Sequence, residues 1–154
     1  MIKVLFVCHG NICRSPMSEY IFRDMVTRRG IANEFYIASA ATSREEIGNP
    51  VYPPAKRILR EHGISCDGKY AVQMTRADYD KYDYILAAED YNIRNILRII
   101  REDPQHKVCR LLDFSDHPRN IADPWYTGDF ETTYADIVEG CESFLRYLEK
   151  QQRK

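Results

Sequence analysis

The sequence predicts a three-layer α/β sandwich of Rossmann-like type, in which helices flank both faces of a four-stranded parallel sheet. Four short apolar segments predict the strands, at residues 2–8, 35–38, 84–88 and 108–112. Segments with apolar residues at helical spacing separate them, and this alternation is typical of βαβ units. With 154 residues, of which 44% are hydrophobic and 29% charged, the chain is predicted to form a single domain over 1–154.

The helices are predicted from their start and stop signals. The first follows the pair Ser15-Pro16, with Ser15 as its N-cap, and ends near Arg28-Arg29-Gly30. The second starts at Pro54 and ends at His62-Gly63. The remaining predictions are a capping start at 75–78, helices through 93–100 and 134–148, and loops rich in Gly, Pro or Asp over 39–54 and 113–129.

Composition excludes several classes of function. A net charge of −1 gives no bulk attraction to a polyanion, so no nucleic-acid partner is expected. No stretch approaches the roughly 20 apolar residues of a membrane span, and the short apolar run after Lys3 is no signal peptide. The cysteines at 8, 13, 66, 109 and 141 include no C-x2-C pair, which indicates a reducing cytoplasm. We expect a monomer or weak self-association.

The stretch from Cys8 to Ser15 joins a predicted strand to a predicted helix. Free backbone N–H groups and the helix dipole make such a turn an anion site. The same surroundings favour the thiolate form of a cysteine, here Cys8. Arg14, six residues later, would offer a fork of N–H donors to a phosphate-like group. The sequence therefore predicts an oxyanion site with a reactive thiol.

Residues inside this turn are predicted to shape it. Gly10 and Asn11 tolerate positive φ, which lets successive N–H groups point inward. Asn11 is also expected to brace the loop, and Ser15 to donate its hydroxyl to the Cys8 thiolate. His9 is interpreted as facing solvent rather than as a catalyst.

The motif C-x-G-N-x-C-R-S-P at residues 8–16 resembles that of the low-molecular-weight protein tyrosine phosphatase family. The likeness covers the whole chain, through the segments Ser39-Ala40-Ala41, His62-Gly63-Ile64, Gln73-Met74-Thr75, Asp83-Tyr84-Ile85-Leu86 and Asp123-Pro124-Trp125-Tyr126. The resemblance implies hydrolysis of phosphate monoesters with no metal or other cofactor, on phosphotyrosine-containing proteins or peptides. The implied catalytic residues are Cys8 as nucleophile, Arg14 as phosphate clamp and Asp123 as general acid and base.

The same resemblance extends the set of site residues. The predicted substrate- and phosphate-binding residues are His9, Gly10, Asn11, Ile12, Cys13, Ser15, Trp125 and Tyr126. Trp125 and Tyr126 are expected to form one wall of the site's mouth, and the apolar Ile12 favours phosphotyrosine over phosphoarginine, because bacterial arginine phosphatases of this family carry Thr there. Cys13 is implied as a reversible disulfide partner of Cys8, although a packed thiol fits the sequence equally well.

Some positions depart from the family pattern. Glu45 stands where mammalian members carry tryptophan, and Ala88-Glu89 replaces a Met-Asp pair. Lys69 and Val72 stand where relatives often have His and Arg. These departures leave the predicted catalytic residues in place and bear on substrate choice and on hydrogen bonding behind the site.

Four different functions fit parts of the same pattern. They are a protein arginine phosphatase, a thiol-dependent arsenate reductase, a non-catalytic phosphotyrosine-binding module and a thiol redox protein built on Cys8 and Cys13. The reductase needs two further cysteines close together, whereas Cys66, Cys109 and Cys141 are far apart in the sequence. A binding module predicts loss of a catalytic residue, and a redox protein leaves Arg14 without a role.

Overall fold

The computed structural model describes residues 1–152 and confirms the predicted α/β fold. Its sheet is fully parallel with the order β2-β1-β3-β4, and the strands are β1 Ile2–Cys8, β2 Phe35–Ala41, β3 Tyr84–Ala87 and β4 Val108–Arg110. The helices are α1 Arg14–Arg28, α2 Pro53–Glu61, α3 Asp78–Lys81, α4 Asp90–Ile100, α5 Pro124–Thr127 and α6 Phe130–Gln152.

The central strand β1 separates two apolar cores. Val4, Phe6 and Cys8 face one core, which is completed by side chains of α1, α2 and α6. Leu5 and Val7 face the other core, which is completed by side chains of α3 and α4. Because successive side chains of a strand point to opposite faces, a continuous apolar run in β1 is what a sheet covered on both sides requires.

The strand order places a switch point beside the carboxyl end of β1. The chain leaves β1 through α1 to reach β2 on one side, and later returns to β3 on the other side of β1. In open α/β sheets, ligands bind beyond the carboxyl ends of the strands at such a point. Cys8 ends β1 and Ala88 follows β3, so residues after both strands meet at this edge.

Several predicted boundaries are corrected. Strand β2 continues to Ala41 instead of ending at residue 38, because its small residues pair with β1 up to Cys8. Strand β4 ends at Arg110 rather than at 112, since Leu111–Phe114 turns into a 3-10 helix. The predicted loop 113–129 contains the short helix α5. Helix α1 begins at Arg14, so Ser15 is its second residue and not its N-cap.

Within residues 1–152, no helix combines the length and the apolar character that crossing a bilayer requires.

Candidate active site

Two loops at the carboxyl edge of the sheet enclose a cavity of about 240 Å³. One is the 8–15 loop between β1 and α1, and the other is the 121–128 loop, which contains α5. Nine of the predicted site residues line this cavity: Cys8, His9, Gly10, Ile12, Cys13, Arg14, Asp123, Trp125 and Tyr126. Glu45 and Glu46 complete the wall. The fold thus brings together positions more than 100 residues apart in the sequence.

The thiol of Cys8 lies within reach of two polar groups. Its Sγ is 3.0 Å from Ser15 Oγ, and the backbone N–H of Asn11 donates to it over 3.3 Å. Because α1 starts one residue before Ser15, the Ser15 hydroxyl is free to face Cys8 instead of capping the helix. The thiol also lies at the N-terminal end of α1, where the helix dipole favours negative charge.

Asn11 and Ser15 lie behind the cavity rather than in its wall, with 1% and 2% exposure. The Asn11 side-chain amide donates to Ser15 Oγ over 2.7 Å and to Ser39 Oγ over 3.0 Å. Its carbonyl oxygen accepts from the Val72 N–H over 3.1 Å. These three bonds fix Ser15 beside Cys8 and tie the 8–15 loop to the segment that follows α2.

The backbone explanation for Asn11 and Gly10 holds for only one of them. Asn11 has φ 59°, in the left-handed region. Gly10 has no positive φ, which corrects the prediction. A Cβ at Gly10 would lie 3.3 Å from Glu46 Cγ, a tight contact that the Glu46 side chain would have to relieve by shifting.

A buried charged group that the sequence did not predict stands behind Asn11. Ser39 Oγ donates to Glu19 Oε1 over 2.6 Å, and Lys69 Nζ donates to the Ser39 carbonyl over 2.9 Å. The same ammonium is 3.6 Å from Glu19 Oε1, and Arg23 lies 2.9 Å from Glu19 Oε2. Burial lowers the pKa of Lys69, and the Glu19 carboxylate opposes that shift. One carboxylate thus holds two cations behind the 8–15 loop.

The guanidinium of Arg14 is almost fully buried and is held from one side. Its Nη1 donates to Glu89 Oε2 and, over 2.7 Å, to the Ile121 carbonyl. Its Nη2 is 3.4 Å from Asp123 Oδ2 at the cavity wall. In the sequence, Glu89 stands out only as a departure from the family pattern. The signal that could have found it is a carboxylate two residues after β3, at the same sheet edge as Cys8.

Asp123 is the N-cap of α5. Its Oδ1 accepts from the Trp125 N–H over 3.0 Å, while Oδ2 faces Arg14. The Asp-Pro pair therefore does what turn chemistry predicts, because a capping carboxylate satisfies a free N–H and Pro124 follows at the first helical position. The same cap aims one carboxyl oxygen at the cavity.

The mouth of the cavity combines aromatic and acidic side chains. Trp125 and Tyr126 are 53% and 84% exposed, and both line the cavity. His9 Nε2 is 2.7 Å from Glu45 Oε2, so the predicted solvent-facing residue is paired across the mouth. Ile12 supplies an apolar surface to the cavity, and the carboxylates Glu45 and Glu46 add acidic groups to its lining.

The five cysteines are all free and divide into two groups. Cys8 and Cys13 line the cavity, and burial together with the neighbouring Cys8 raises the pKa of the Cys13 thiol. Cys66, Cys109 and Cys141 lie outside it, and burial raises the pKa of Cys109 to about 12. In the described part of the chain, no three His, Cys, Asp or Glu side chains are grouped to hold a metal ion.

Comparisons with known proteins identify one family over nearly the whole chain. The family model described as low molecular weight phosphotyrosine protein phosphatase matches residues 3–154. The low molecular weight protein-tyrosine-phosphatase YfkJ of Bacillus subtilis is 40% identical over 155 residues, which cover 99% of each chain. The human low molecular weight phosphotyrosine protein phosphatase is 41% identical over 151 residues, with 93% of each chain covered.

Solved structures extend the likeness to three dimensions. The crystal structure of YfkJ superposes with a TM-score of 0.92 at 42% identity, over 98% of this chain and 96% of that one. The crystal structure of DARP, a Drosophila arginine phosphatase, superposes with a TM-score of 0.86 at 28% identity, over 96% and 98%. The family model and the relatives show that the chain belongs to the low molecular weight phosphotyrosine protein phosphatase family, a family of hydrolases.

Proposed function

We propose that this protein is a tyrosine phosphatase that hydrolyses phosphotyrosine monoesters in proteins or peptides through a cysteinyl-phosphate intermediate. The observation that carries the proposal is the meeting of a thiol, a buried guanidinium and a carboxyl in one cavity, from Cys8, Arg14 and Asp123. The names of the relatives support the same class of substrate.

The first step is in-line attack of the Cys8 sulfur on phosphorus. The S–P bond forms while the P–O bond to the tyrosine oxygen breaks, and the electron pair of that bond leaves with the phenolic oxygen. The hydroxyl of Ser15, 3.0 Å from Sγ, and the Asn11 N–H stabilise the thiolate before attack. Arg14 and the positive end of α1 stabilise charge on the three transferring oxygens.

Asp123 handles the protons. In the first step, its protonated carboxyl donates to the leaving oxygen, so that a neutral phenol departs. In the second step, the carboxylate accepts a proton from water as that water attacks phosphorus. The S–P bond breaks, inorganic phosphate leaves and the Cys8 thiolate is restored.

The wall of the cavity favours an aromatic substrate. Ile12, Trp125 and Tyr126 offer apolar surface to a phenyl ring. A protein arginine phosphatase is the second candidate, since Glu45 and Glu46 give the cavity lining a negative charge that suits a guanidinium. The likeness to a Drosophila protein named an arginine phosphatase supports the same candidate.

A thiol-dependent arsenate reductase is supported less well. Its relay needs further cysteines near the nucleophile, and Cys66, Cys109 and Cys141 do not line the cavity. For Cys13 we propose the role of a reversible disulfide partner, since it lines the same cavity as Cys8. Cys8 must be reduced to act, which supports a cytoplasmic location. We further propose that residues 1–154 act as one phosphatase domain, which is monomeric or self-associates weakly.

Hydrolysis of an aryl phosphate by point variants tests the mechanism. Cys8→Ser is expected to show no turnover, because its hydroxyl is a far weaker nucleophile than a thiolate. Asp123→Ala is expected to lose about 10²–10⁴-fold in rate, the usual contribution of a general acid. Cys109→Ser, which changes a thiol outside the cavity, is the matched control and keeps wild-type activity. Full activity of Cys8→Ser would contradict the proposed mechanism.

Paired phosphopeptides test the choice of substrate. Wild type is expected to hydrolyse a phosphotyrosine peptide faster than the same peptide carrying phosphoarginine. Ile12→Thr is expected to narrow that ratio, because it removes apolar surface from the cavity wall. A wild-type preference for phosphoarginine would favour the second candidate.

A further inference from the structure

Tyr52, the residue before α2, touches both loops of the cavity without lining it. Its backbone N–H donates to the carbonyl of Ile12 over 2.9 Å, which ties it to the 8–15 loop. Its ring centroid is 4.7 Å from that of Trp125, which ties it to the 121–128 loop. Tyr52 is absent from the residues around the catalytic cavity and lines the neighbouring cavity, on the other side of Trp125.

The 121–128 loop is anchored at its start by the buried residues Ile121 and Pro124, whereas residues 125–128 have few packing contacts. Helix α5 is four residues long, too short to be stable by itself. The Tyr126 side chain is largely exposed, so it contributes little packing. Trp125 is half exposed, and the buried part of its ring meets Tyr52, which also stands 6.1 Å from the ring of Phe130 at the start of α6.

The position of Trp125 matters for the proton donor. Its backbone N–H is the group that holds Asp123 Oδ1, over 3.0 Å. A ring that fixes Trp125 therefore also fixes the carboxyl whose other oxygen faces Arg14. The route from Tyr52 to Asp123 has two contacts, ring to ring and then N–H to carboxylate.

We propose that Tyr52 is a positioning residue for the general acid, acting through Trp125. The inference rests on the proposed function, in which Asp123 protonates the leaving oxygen. Tyr52 also links the position of the acid to that of the nucleophile, because its backbone N–H is bonded to the loop that carries Cys8. Loss of the ring would leave the nucleophile and the phosphate site in place and would displace the acid.

A series of aryl phosphates separates these effects. With strongly acidic phenols the leaving group needs no proton, whereas with weakly acidic phenols it does. Tyr52→Ala is expected to lower kcat/KM about tenfold for the weakly acidic phenols, part of the 10²–10⁴-fold contribution of a general acid. For the most acidic phenols the change is expected to stay below about twofold. Tyr52→Phe keeps the ring and is expected to behave as wild type throughout.

Two further variants make the test specific. Tyr36→Ala removes a tyrosine that packs on another ring, Tyr82, at 6.0 Å and away from the cavity, and no change in activity is expected. Asp123→Ala with Tyr52→Ala is expected to be no slower than Asp123→Ala alone, since the acid on which Tyr52 acts is gone. The Cys8 alkylation rate by iodoacetate is expected to be unchanged in Tyr52→Ala.

The possible outcomes are distinct. An equal loss for every leaving group, a loss that adds to that of Asp123→Ala, or slower alkylation of Cys8 would each overturn the inference. A general structural role for Tyr52 would give the first and third of these. Hydrolysis that depends on Cys8 and Asp123, with no effect of Tyr52→Ala, would overturn the inference while leaving the proposed function standing.

Discussion

The 8–15 loop and the 121–128 loop face the same cavity but are held in different ways. Behind the first, side chains such as Asn11 are buried and hydrogen-bonded to three or more partners. The second is anchored at its start by the buried Ile121, which bonds to Arg14, whereas its exposed residues Trp125 and Tyr126 are held by one capping carboxylate and one aromatic contact.

This difference matches what each loop must do. Binding a phosphoryl group depends on donors that are already in place, because reorganising them during reaction would cost part of the rate. The acid loop must admit a substrate side chain and release a product, which a less firmly held segment does readily. The contrast predicts that changes behind the first loop alter both folding and activity, whereas changes in the second alter activity more than folding.

Asn11→Ala is expected to have the largest effect. It removes two buried hydrogen bonds and one partly buried bond from the Val72 N–H, at about 0.5–1.5 kcal/mol each, while the two hydroxyls keep their contacts with Cys8 and Glu19. We expect the free energy of unfolding in urea to fall by about 3 kcal/mol. We also expect kcat/KM to fall about 100-fold, because Ser15 is no longer fixed beside Cys8.

The control for this variant is Asn49→Ala. The Asn49 side chain is exposed and bonds only to Glu46, over 2.6 Å, so its loss is expected to change stability by less than about 0.5 kcal/mol. If the two variants differed by less than about 1 kcal/mol, the buried bonds of Asn11 would not be what holds the 8–15 loop in place.

Glu19→Gln is expected to have the next largest effect. The Glu19 side chain is 4% exposed and that of Lys69 11%, so the change leaves a largely buried ammonium without its carboxylate. Breaking a buried pair costs up to about 3–5 kcal/mol. We expect the free energy of unfolding to fall by only about 2 kcal/mol, because the new amide keeps a hydrogen bond to Ser39 and because water can replace the partner that Arg23 loses. Glu149→Gln, which breaks the exposed pair with Arg29, is expected to cost close to nothing.

The buried pair also has a pH signature. Burial lowers the pKa of Lys69 in the folded protein, and Glu19 opposes the shift, so Glu19→Gln is expected to lower that pKa further. As pH rises through the folded pKa towards the unfolded value, the unfolded chain binds more protons, and stability from this group rises. The difference in free energy of unfolding between Glu19→Gln and wild type should therefore shrink between pH 7 and pH 10. A difference that grows over this range would contradict the assignment.

The two loops also differ in how far the sequence could predict them. Local signals gave β1 its observed bounds and placed Cys8 at its end, since both depend on neighbouring residues. The resemblance to a family supplied Asp123. Glu19, Ser39 and Lys69 were missed because their contacts join residues distant in the sequence, and nothing in a polar helix residue marks a buried partner. Tyr52 was missed for the same reason. Helix α5, whose N-cap is Asp123, was missed because it lies within the predicted loop 113–129.

The same limit explains the errors over Ser15 and Gly10. A serine before a proline is a good N-cap by local statistics, but α1 starts earlier and leaves its hydroxyl to Cys8. A glycine in a tight turn usually marks positive φ, whereas Gly10 has none and instead lies close to Glu46, 36 residues later. In both cases, the deciding contact is tertiary.

Gly128→Ala is expected to have the smallest effect on stability and to separate the loops most directly. Gly128 ends α5 with φ 73°, and Gly30 follows α1 with φ 71°; at neither would a Cβ meet another atom within 4 Å. Alanine at either position therefore costs only the left-handed backbone conformation, about 1 kcal/mol. In Gly30→Ala, the free energy of unfolding in urea should fall by this full amount, and activity should be unchanged.

In Gly128→Ala, the same conformational cost falls on a segment that a few contacts hold. If the 121–128 loop opens locally before the rest of the molecule unfolds, the cost raises the population of the open loop and changes global unfolding by less than in Gly30→Ala. Activity should then fall several-fold on phenols that need a proton, since an open loop removes Asp123 from the cavity. The two variants could instead lose equal free energy of unfolding in urea, with no loss of activity in Gly128→Ala. That result would show that the 121–128 loop does not open locally and unfolds only with the rest of the molecule.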